Sequence, residues 1–388
     1  MNLERYIDFF KRNKLEWTWP RKVEVLIYGR LNSEVIGNYI GLGRYQILDE
    51  NCKNIWVLLI CALRGKIGAK EYIIRYIKAT GALVAITSID NDECFWSIKN
   101  DLPKVKCIVL QYAWHGEVAD IFGYLKDKPP KNKFKLDYLF VYNRNIGKKY
   151  NEYIDAEIKV IGNFKNNSYF PKAQQNAERK SIAFISQYRI EQVYHPVFFY
   201  WGKKPYFRDS FYESERKLLP LLHRFCMKRG FVLEIIGHGA TDGEKNFFLE
   251  MIGHSDWIFL PRIDPLDSYS SISRATVVVG VDSSLIYESF GRGLRTGIFS
   301  EREKSLKLES LRFGWPGNFR PKGPFWTNDV CEEEVHRVIT TAIESSDLDW
   351  QSIHHQYREE IMEYDPGNTQ LIEILKTCTK TRTHHSQD

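Results

Sequence analysis

Short apolar segments alternate along the chain with longer segments in which apolar residues recur at helical spacing. Apolar runs without polar alternation are typical of strands buried on both faces of a parallel sheet. In the first part of the chain they predict strands at residues 22–28, 54–63, 83–88, 105–111, 137–142 and 158–161. In the second part they predict strands at residues 181–185, 231–236, 257–260, 276–281 and 294–299.

Helices are predicted between and after these strands, at residues 69–79, 95–100, 146–154, 212–229, 244–252, 285–290, 332–345 and 350–364. The alternation indicates βαβ units and parallel sheets. Three segments fit it less well. Residues 3–19 are predicted as a packed helix, with a docking or interfacial helix as the alternative. Residues 190–212 form an aromatic insertion that we leave unassigned, and residues 376–388 are predicted as a disordered polar tail.

Length and composition narrow the class of protein. A chain of 388 residues suits two domains, and the polar segment 163–179 has the composition of a linker. We therefore predict domains at residues 1–170 and 171–346, with residues 347–388 closing the second domain. The net charge of +6 favours anionic partners such as nucleotide phosphates or a lipid surface, without the basic clusters of a nucleic-acid binder.

Cysteine usage and the lack of export signals point to the cytoplasm. The seven cysteines show no C-x-x-C spacing, which predicts free thiols and neither a disulfide framework nor a zinc site. No apolar run is long enough to span a membrane, and the amino terminus lacks the apolar core of a signal peptide. We expect a cytoplasmic protein.

The strand at 276–281 leads into a candidate phosphate site. Asp282, Ser283 and Ser284 carry side-chain oxygens where the next helix begins, which is an N-cap signal. Free amides and the positive end of the helix dipole attract phosphate there. Glu288 follows about a turn and a half later, within reach of a sugar hydroxyl of a bound nucleotide. The alternative is an ordinary cap followed by a solvated glutamate.

Other polar residues follow predicted strands, where doubly wound sheets bind ligands. Arg262 follows residues 257–260 and could bind phosphate in a fork, or form a surface ion pair with Asp264 or Asp267. Candidates for the same cleft are Ser186, Gln187 and Arg189 after one strand, and His238 and Gly239 after the next.

His115 and Glu117 follow the strand at 105–111, with Asp120 behind them. A free imidazole titrates near neutral pH and could remove a proton from a sugar hydroxyl. The alternative is a turn with a surface histidine.

The Asp282-Ser283-Ser284, Glu288, Gly293 pattern resembles the donor site of two-domain GT-B glycosyltransferases, and the paired serines are similar to those of bacterial Kdo and sialic acid transferases. Those enzymes carry His-Pro where this chain has His238-Gly239, which counts against a CMP-linked donor. Residues 208–326 are similar to surface carbohydrate (O-antigen or capsule) biosynthesis proteins. The resemblance implies an α/β fold with two Rossmann-like domains facing each other across a cleft, an N-terminal acceptor domain and a C-terminal donor domain.

The implied activity is transfer of a sugar from a nucleotide sugar to a growing surface polysaccharide or lipid-linked glycan. The donor is a co-substrate, and the resemblance implies neither a cofactor nor a metal. His115 and Glu117 are the predicted catalytic residues if the reaction inverts configuration. Peripheral association with the inner face of the cell membrane is a further expectation. The alternatives are a non-hydrolysing sugar-nucleotide epimerase of the same fold and a non-catalytic glycan-assembly subunit.

Overall fold

The computed structural model describes residues 14–126, 134–170, 180–189, 195–239, 242–254, 256–264 and 266–380. Two parallel sheets organise this part of the chain. We call residues 14–170 together with 369–380 the N-terminal lobe, and residues 180–361 the C-terminal lobe.

The first sheet has the strand order β3-β2-β5-β6-β7-β8, with every pair parallel. A separate parallel pair joins β1 to β4. The strands of this lobe are β1 (Lys14–Glu16), β2 (Val25–Tyr28), β3 (Tyr45–Leu48), β4 (Cys52–Asn54), β5 (Val84–Thr87), β6 (Lys106–Leu110), β7 (Phe134–Val141) and β8 (Ile154–Val160).

The second sheet has the order β13-β12-β9-β14-β15-β16 and is also parallel throughout. Its strands and an antiparallel hairpin, β10-β11, are β9 (Ser181–Ile185), β10 (Val197–Trp201), β11 (Lys204–Phe207), β12 (Val232–Ile236), β13 (Ile258–Leu260), β14 (Val277–Gly280), β15 (Thr296–Phe299) and β16 (Trp326–Thr327). Strand order reverses between β9 and β14, where a doubly wound sheet opens a crevice for ligands.

Helices connect the strands of both sheets. They are α1 (Ser33–Ile40), α2 (Ile55–Leu63), α3 (Ala69–Thr80), α4 (Glu93–Trp96), α5 (Ile121–Lys126), α6 (Arg144–Asn151), α7 (Phe164–Ser168), α8 (Arg208–Phe211), α9 (Glu213–Arg229), α10 (Asp242–Ile252), α11 (Asp267–Ile272), α12 (Ser284–Gly291), α13 (Arg302–Leu306), α14 (Glu332–Glu344), α15 (Asp347–Ile361) and α16 (Thr369–Lys380). A 3₁₀ turn covers Glu309–Leu311. None of the helices in the described residues is long and apolar enough to span a membrane.

The apolar run at 54–63, predicted as a strand, is helix α2. Its N-cap is Asn54, whose side-chain oxygen accepts hydrogen bonds from the amides of Trp56 and Val57 at 3.1 and 3.2 Å. A run that is apolar at every position has no periodicity to separate a buried strand from a helix, so the prediction was wrong for a physical reason.

The other weakly patterned segments also differ from expectation where they are described. Within 190–212, residues 197–207 form the β10-β11 hairpin and are followed by α8, while 190–194 lie outside the described residues. Residues 376–380 are helical rather than disordered, and 381–388 lie outside. Residues 14–16 are a strand rather than part of a helix, and 3–13 lie outside.

The C-terminal helix α16 returns to the first sheet. Its buried residues Leu371, Leu375 and Cys378 belong to the same hydrophobic cluster as Val25 and Ile27 of β2. Burial of this apolar face stabilises the helix. Residues 369–380 therefore pack on the N-terminal lobe rather than on the C-terminal one, to which sequence reasoning had assigned them.

Candidate functional site

A cavity of about 630 Å³ lies between the two lobes. The residues predicted for the donor site that line it are Ser186, Gln187, Arg189, His238, Arg262, Asp282, Ser283, Ser284 and Glu288. Three predicted residues, Gly239, His115 and Glu117, are not part of the lining. The N-terminal lobe contributes Asp120, Asn163 and Lys165 among others, so the cavity is walled by both lobes.

Helix α12 begins at the cavity, as the sequence indicates. Ser283 is its N-cap, in extended conformation, and its hydroxyl oxygen accepts a hydrogen bond of 3.4 Å from the amide of Leu285. Ser284 is the first helical residue, and both serines line the cavity. The positive end of the helix dipole and these hydroxyls together suit a phosphate oxygen.

Asp282 is not the N-cap of α12 but one partner of an ion pair. Its carboxylate forms an ion pair with Arg302, whose guanidinium also pairs with Glu215 and lies 3.7 Å from the centre of the Phe211 ring. The Arg302 side chain is only 1% exposed. Sequence reasoning missed Arg302 and Glu215, because neither stands in a motif and only the fold brings their helices together.

A second buried carboxylate shapes the loops after β9 and β12. Glu244, near the start of α10, accepts a hydrogen bond from the hydroxyl of Ser186 and bonds of 2.7 and 3.1 Å from the amides of His238 and Gly239. Glu244 is fully buried. The Ser186 hydroxyl is therefore held by the protein, and Gly239 supports the loop without lining the cavity.

Three cationic side chains of the cavity wall, Arg189, Arg262 and Lys165, form no ion pair with any described residue. Burial lowers the pKa of Lys165, and burial followed by the nearby charges of Arg262 and Arg189 lowers the pKa of His238. Unpaired positive charge around one cavity is complementary to an anionic ligand.

The surface ion pairs suggested as an alternative for Arg262 are not formed. Asp267 instead accepts hydrogen bonds from the amides of Ile263 and Asp264, at 2.9 and 2.6 Å. Asp264 accepts one from the amide of Leu266 at 2.8 Å. Both carboxylates thus order the turn that leads into α11 and leave the guanidinium of Arg262 for the cavity.

Glu288 is a buried residue of the cavity lining. Its two carboxylate oxygens accept hydrogen bonds of 2.8 Å from the side-chain amide of Asn163 and 2.7 Å from the hydroxyl of Tyr269. Burial raises the pKa of this carboxyl. Each of the two oxygens can accept a second hydrogen bond, so the carboxylate can also bind a hydroxyl group in the cavity.

The expectation that His115 is a free imidazole is wrong. The ring is buried, with Nε2 2.8 Å from Asp90 Oδ2 and Nδ1 2.8 Å from Asp120 Oδ1. Burial alone would lower its pKa, but the charge of Asp90 and the hydrogen bonds to Asp120 and Asp90 raise it to about 10. At neutral pH the ring is an imidazolium held between two carboxylates.

The carboxylate that reaches the cavity from this loop is Asp120. Its side chain is 31% exposed and lines the cavity, while its two oxygens also accept hydrogen bonds from the amides of Gly116 and Ile121. Glu117 instead pairs with Lys126 at 2.7 Å. Sequence reasoning gave Asp120 a supporting role to His115 and Glu117. In the structure Asp120 lines the cavity, and neither His115 nor Glu117 does.

The loop after β6 also contacts helix α12. The rings of Trp114 and Tyr287 stack with centroids 4.5 Å apart and an angle of 12° between their planes. Such stacking adds a specific contact to the area that the rings bury. It joins the loop after β6 to α12 and fixes the N-terminal wall of the cavity against the C-terminal wall.

Comparison with known proteins places this architecture in a family. A family described as "putative O-antigen biosynthesis protein" matches residues 107–379. No curated protein is significantly similar in sequence to this chain.

Solved structures of similar fold span nearly the whole chain. The wall teichoic acid polymerase TagF, as its H548A variant, has a TM-score of 0.53 at 11% identity, covering 94% of this chain and 91% of TagF. A TagF H444N variant soaked with CDPG has a TM-score of 0.50 at 9% identity, covering 94% and 91%. A "putative UDP-N-acetylglucosamine 2-epimerase" from Listeria monocytogenes has a TM-score of 0.51 at 10% identity, covering 89% and 93%. The fold is of the two-domain GT-B type, as predicted.

Proposed function

Because the chain belongs to the O-antigen biosynthesis protein family, we propose that it is a glycosyltransferase that moves a sugar from a nucleotide sugar to a growing surface polysaccharide or lipid-linked glycan. One observation carries the proposal. The cavity combines unpaired cations and a helix N-terminus of the C-terminal lobe with the carboxylate of Asp120 from the N-terminal lobe. Donor phosphate and acceptor hydroxyl would meet between them.

The leaving nucleotide phosphate would be held by Ser283, Ser284 and the first amides of α12, together with Arg262, which follows β13 at the same end of the sheet. These groups stabilise the negative charge that develops as the bond between the anomeric carbon and the phosphate oxygen breaks. Glu288 would accept a hydrogen bond from a ribose hydroxyl of the nucleotide. The proposal includes metal independence, since these cations perform the charge neutralisation that a divalent ion provides elsewhere.

Asp120 is the base that the geometry favours for an inverting reaction. The imidazolium of His115 has no lone pair free to accept a proton, and Glu117 is paired with Lys126 outside the cavity lining. Asp120 would take the proton of the acceptor hydroxyl while that oxygen forms its bond to the anomeric carbon. His115, held by Asp90, would position the carboxylate.

The nucleotide itself is a matter for experiment. TagF soaked with CDPG and a UDP-N-acetylglucosamine epimerase share the fold, which supports a nucleotide-linked donor without choosing its base. The serine pair that resembles CMP-sugar transferases keeps a CMP-linked donor among the candidates. We place the reaction at the cytoplasmic side of the cell membrane, where nucleotide sugars are used.

The test is turnover with a panel of CMP-, CDP- and UDP-linked sugars, each with and without a glycan acceptor, and Asp120→Asn as the control. Release of free nucleotide only when acceptor is present supports the transferase. An isomerised sugar nucleotide formed without acceptor would identify an epimerase. Binding of nucleotide sugars without turnover would point to the non-catalytic assembly subunit and contradict the proposal.

A further inference from the structure

Helix α2 is apolar on every face although only one face is covered. Val57 and Cys61 are buried against the rest of the lobe, while Trp56, Leu59 and Leu63 are exposed on the other side. Their spacing of three and four residues puts these three side chains in one row. A helix that is hydrophobic all round is normally buried in a core or in a membrane. The exposed row is therefore expected to be covered by a binding partner.

The exposed row continues beyond the helix. The indole nitrogen of Trp56 donates a 2.6 Å hydrogen bond to the carbonyl of Trp17, whose ring is also exposed. After the helix, residues 62–69 are all exposed, with Leu63 at 88% and Ile67 at 68%. We call Trp17, Trp56, Leu59, Leu63 and Ile67 the Trp56 surface. Contiguous exposed apolar patches of this kind mark interaction sites.

The charges within α2 and the turn that follows it have one sign. Residues 55–70 contain Arg64, Lys66 and Lys70 and no acidic residue. Lys70 pairs with Asp101 at 2.7 Å, whereas Arg64 and Lys66 form no ion pair with any described residue. Both stand in the exposed turn between Leu63 and Ile67, so two unpaired cations are flanked by two exposed apolar side chains.

We propose that the Trp56 surface docks on an anionic bilayer. Tryptophans at the headgroup level, aliphatic side chains below them and cations on the lipid phosphates form the usual pattern of interfacial binding. A symmetric contact with a second copy would bring Arg64 and Lys66 near their own copies, and cores of protein interfaces are depleted in lysine. The inference extends the proposed function, since docking would bring the lobe that carries Asp120 to lipid-linked acceptors.

Co-sedimentation with vesicles tests the inference on the whole protein. Wild type should bind vesicles of equal parts phosphatidylglycerol and phosphatidylcholine, bind pure phosphatidylcholine weakly, and dissociate as salt is raised. Leu63→Ser together with Ile67→Ser should weaken binding at least tenfold, and Arg64→Ser with Lys66→Ser should remove the preference for anionic lipid. The matched control is Leu42→Ser with Leu348→Ser, two leucines that are 94% and 78% exposed outside the Trp56 surface, and it should bind like wild type.

Wild type that fails to bind anionic vesicles, or a Leu63→Ser/Ile67→Ser variant that binds as wild type does, would overturn the proposal. A wild-type mass of two chains in light scattering that falls to one chain in this variant would overturn it in favour of self-association. Transfer to a water-soluble acceptor fragment should be unchanged in the variant. Vesicle binding without any transfer would support the docking surface and contradict the proposed function. Transfer without vesicle binding would support the proposed function and contradict the docking surface.

Discussion

The side-chain amide of Asn163 donates a 2.8 Å hydrogen bond to Oε1 of Glu288, and the two residues belong to different lobes. Asn163 follows β8 of the first sheet, and Glu288 lies in α12 behind the phosphate site. Both line the cavity. The carboxylate that we propose for ribose binding is therefore oriented by the opposite lobe, and we expect nucleotide binding to depend on the distance between the lobes.

Replacing Asn163 by alanine should weaken both stability and nucleotide binding. It leaves an oxygen of a buried carboxylate without its donor, which costs about 1–3 kcal/mol in the free energy of unfolding. Urea unfolding and calorimetry with the nucleotide measure the two effects. Asn145→Ala is the matched control, because its amide also bonds across the lobes, to Glu360 at 3.2 Å, but outside the cavity lining. Equal nucleotide affinity of the two variants would show that Asn163 has no part in nucleotide binding.

Asp120→Asn should lower kcat by roughly 10²-fold or more, since an amide cannot accept the proton. The affinity for the nucleotide sugar should stay near that of the parent, because the donor groups belong to the other lobe. The control is Glu117→Gln, which breaks a pair with Lys126 and should keep nearly full turnover. If Glu117→Gln is the inactive variant and Asp120→Asn is active, the original assignment of Glu117 is the correct one.

The pKa of His115, raised to about 10, predicts a loss of stability at high pH. The folded protein holds this proton more tightly than the unfolded chain, so the contribution is complete below pH 6.5 and disappears as the pH rises through 10. Between these values wild type should lose on the order of 4 kcal/mol more unfolding free energy than His115→Gln. Ring-proton NMR offers a direct check, and an imidazole of His115 that titrates near 6.5 would contradict the structure.

Changing Ser283 and Ser284 together to alanine should weaken nucleotide binding by about 1.5–3 kcal/mol per lost hydroxyl, while the helix amides remain. Loss of the Ser283 cap should also cost about 1 kcal/mol of stability. Calorimetry measures the affinity. Ser273→Ala provides the control, since its hydroxyl bonds to the Tyr269 carbonyl and does not line the cavity. Unchanged nucleotide affinity in the double variant would reduce both serines to a cap.

Arg302→Met should lower the free energy of unfolding by about 3–5 kcal/mol, because it leaves Glu215 and Asp282 without their counter-charge and Glu215 is fully buried. The control is Arg229→Met, which breaks an exposed pair with Glu344 and should cost less than about 1 kcal/mol. Urea unfolding of both variants decides the point. Similar small losses would mean that the buried network contributes little.

The sequence by itself determined the two parallel sheets and most of the residues that line the cavity from the C-terminal lobe. Unbroken apolar strands such as Val277–Gly280, followed by polar residues and a helix, have one stable arrangement, in which the strand is buried and the polar residues lie at its carboxyl end. That rule located eight of the predicted donor residues on the cavity wall, and helix spacing located Glu288 there as well. It failed at α2, where the apolar run had no periodicity to interpret.

Only the tertiary structure decided which polar groups are free. Asp282 and Ser186 follow strands like typical ligand residues, yet their partners Arg302 and Glu244 stand 20 and 58 residues away along the chain. The proposed base is Asp120 rather than His115 for the same reason. Asp90, in the loop after β5, binds the imidazole of His115. Hydrogen bonds and ion pairs act over a few ångströms in space, and sequence spacing carries no information on which distant side chains come that close.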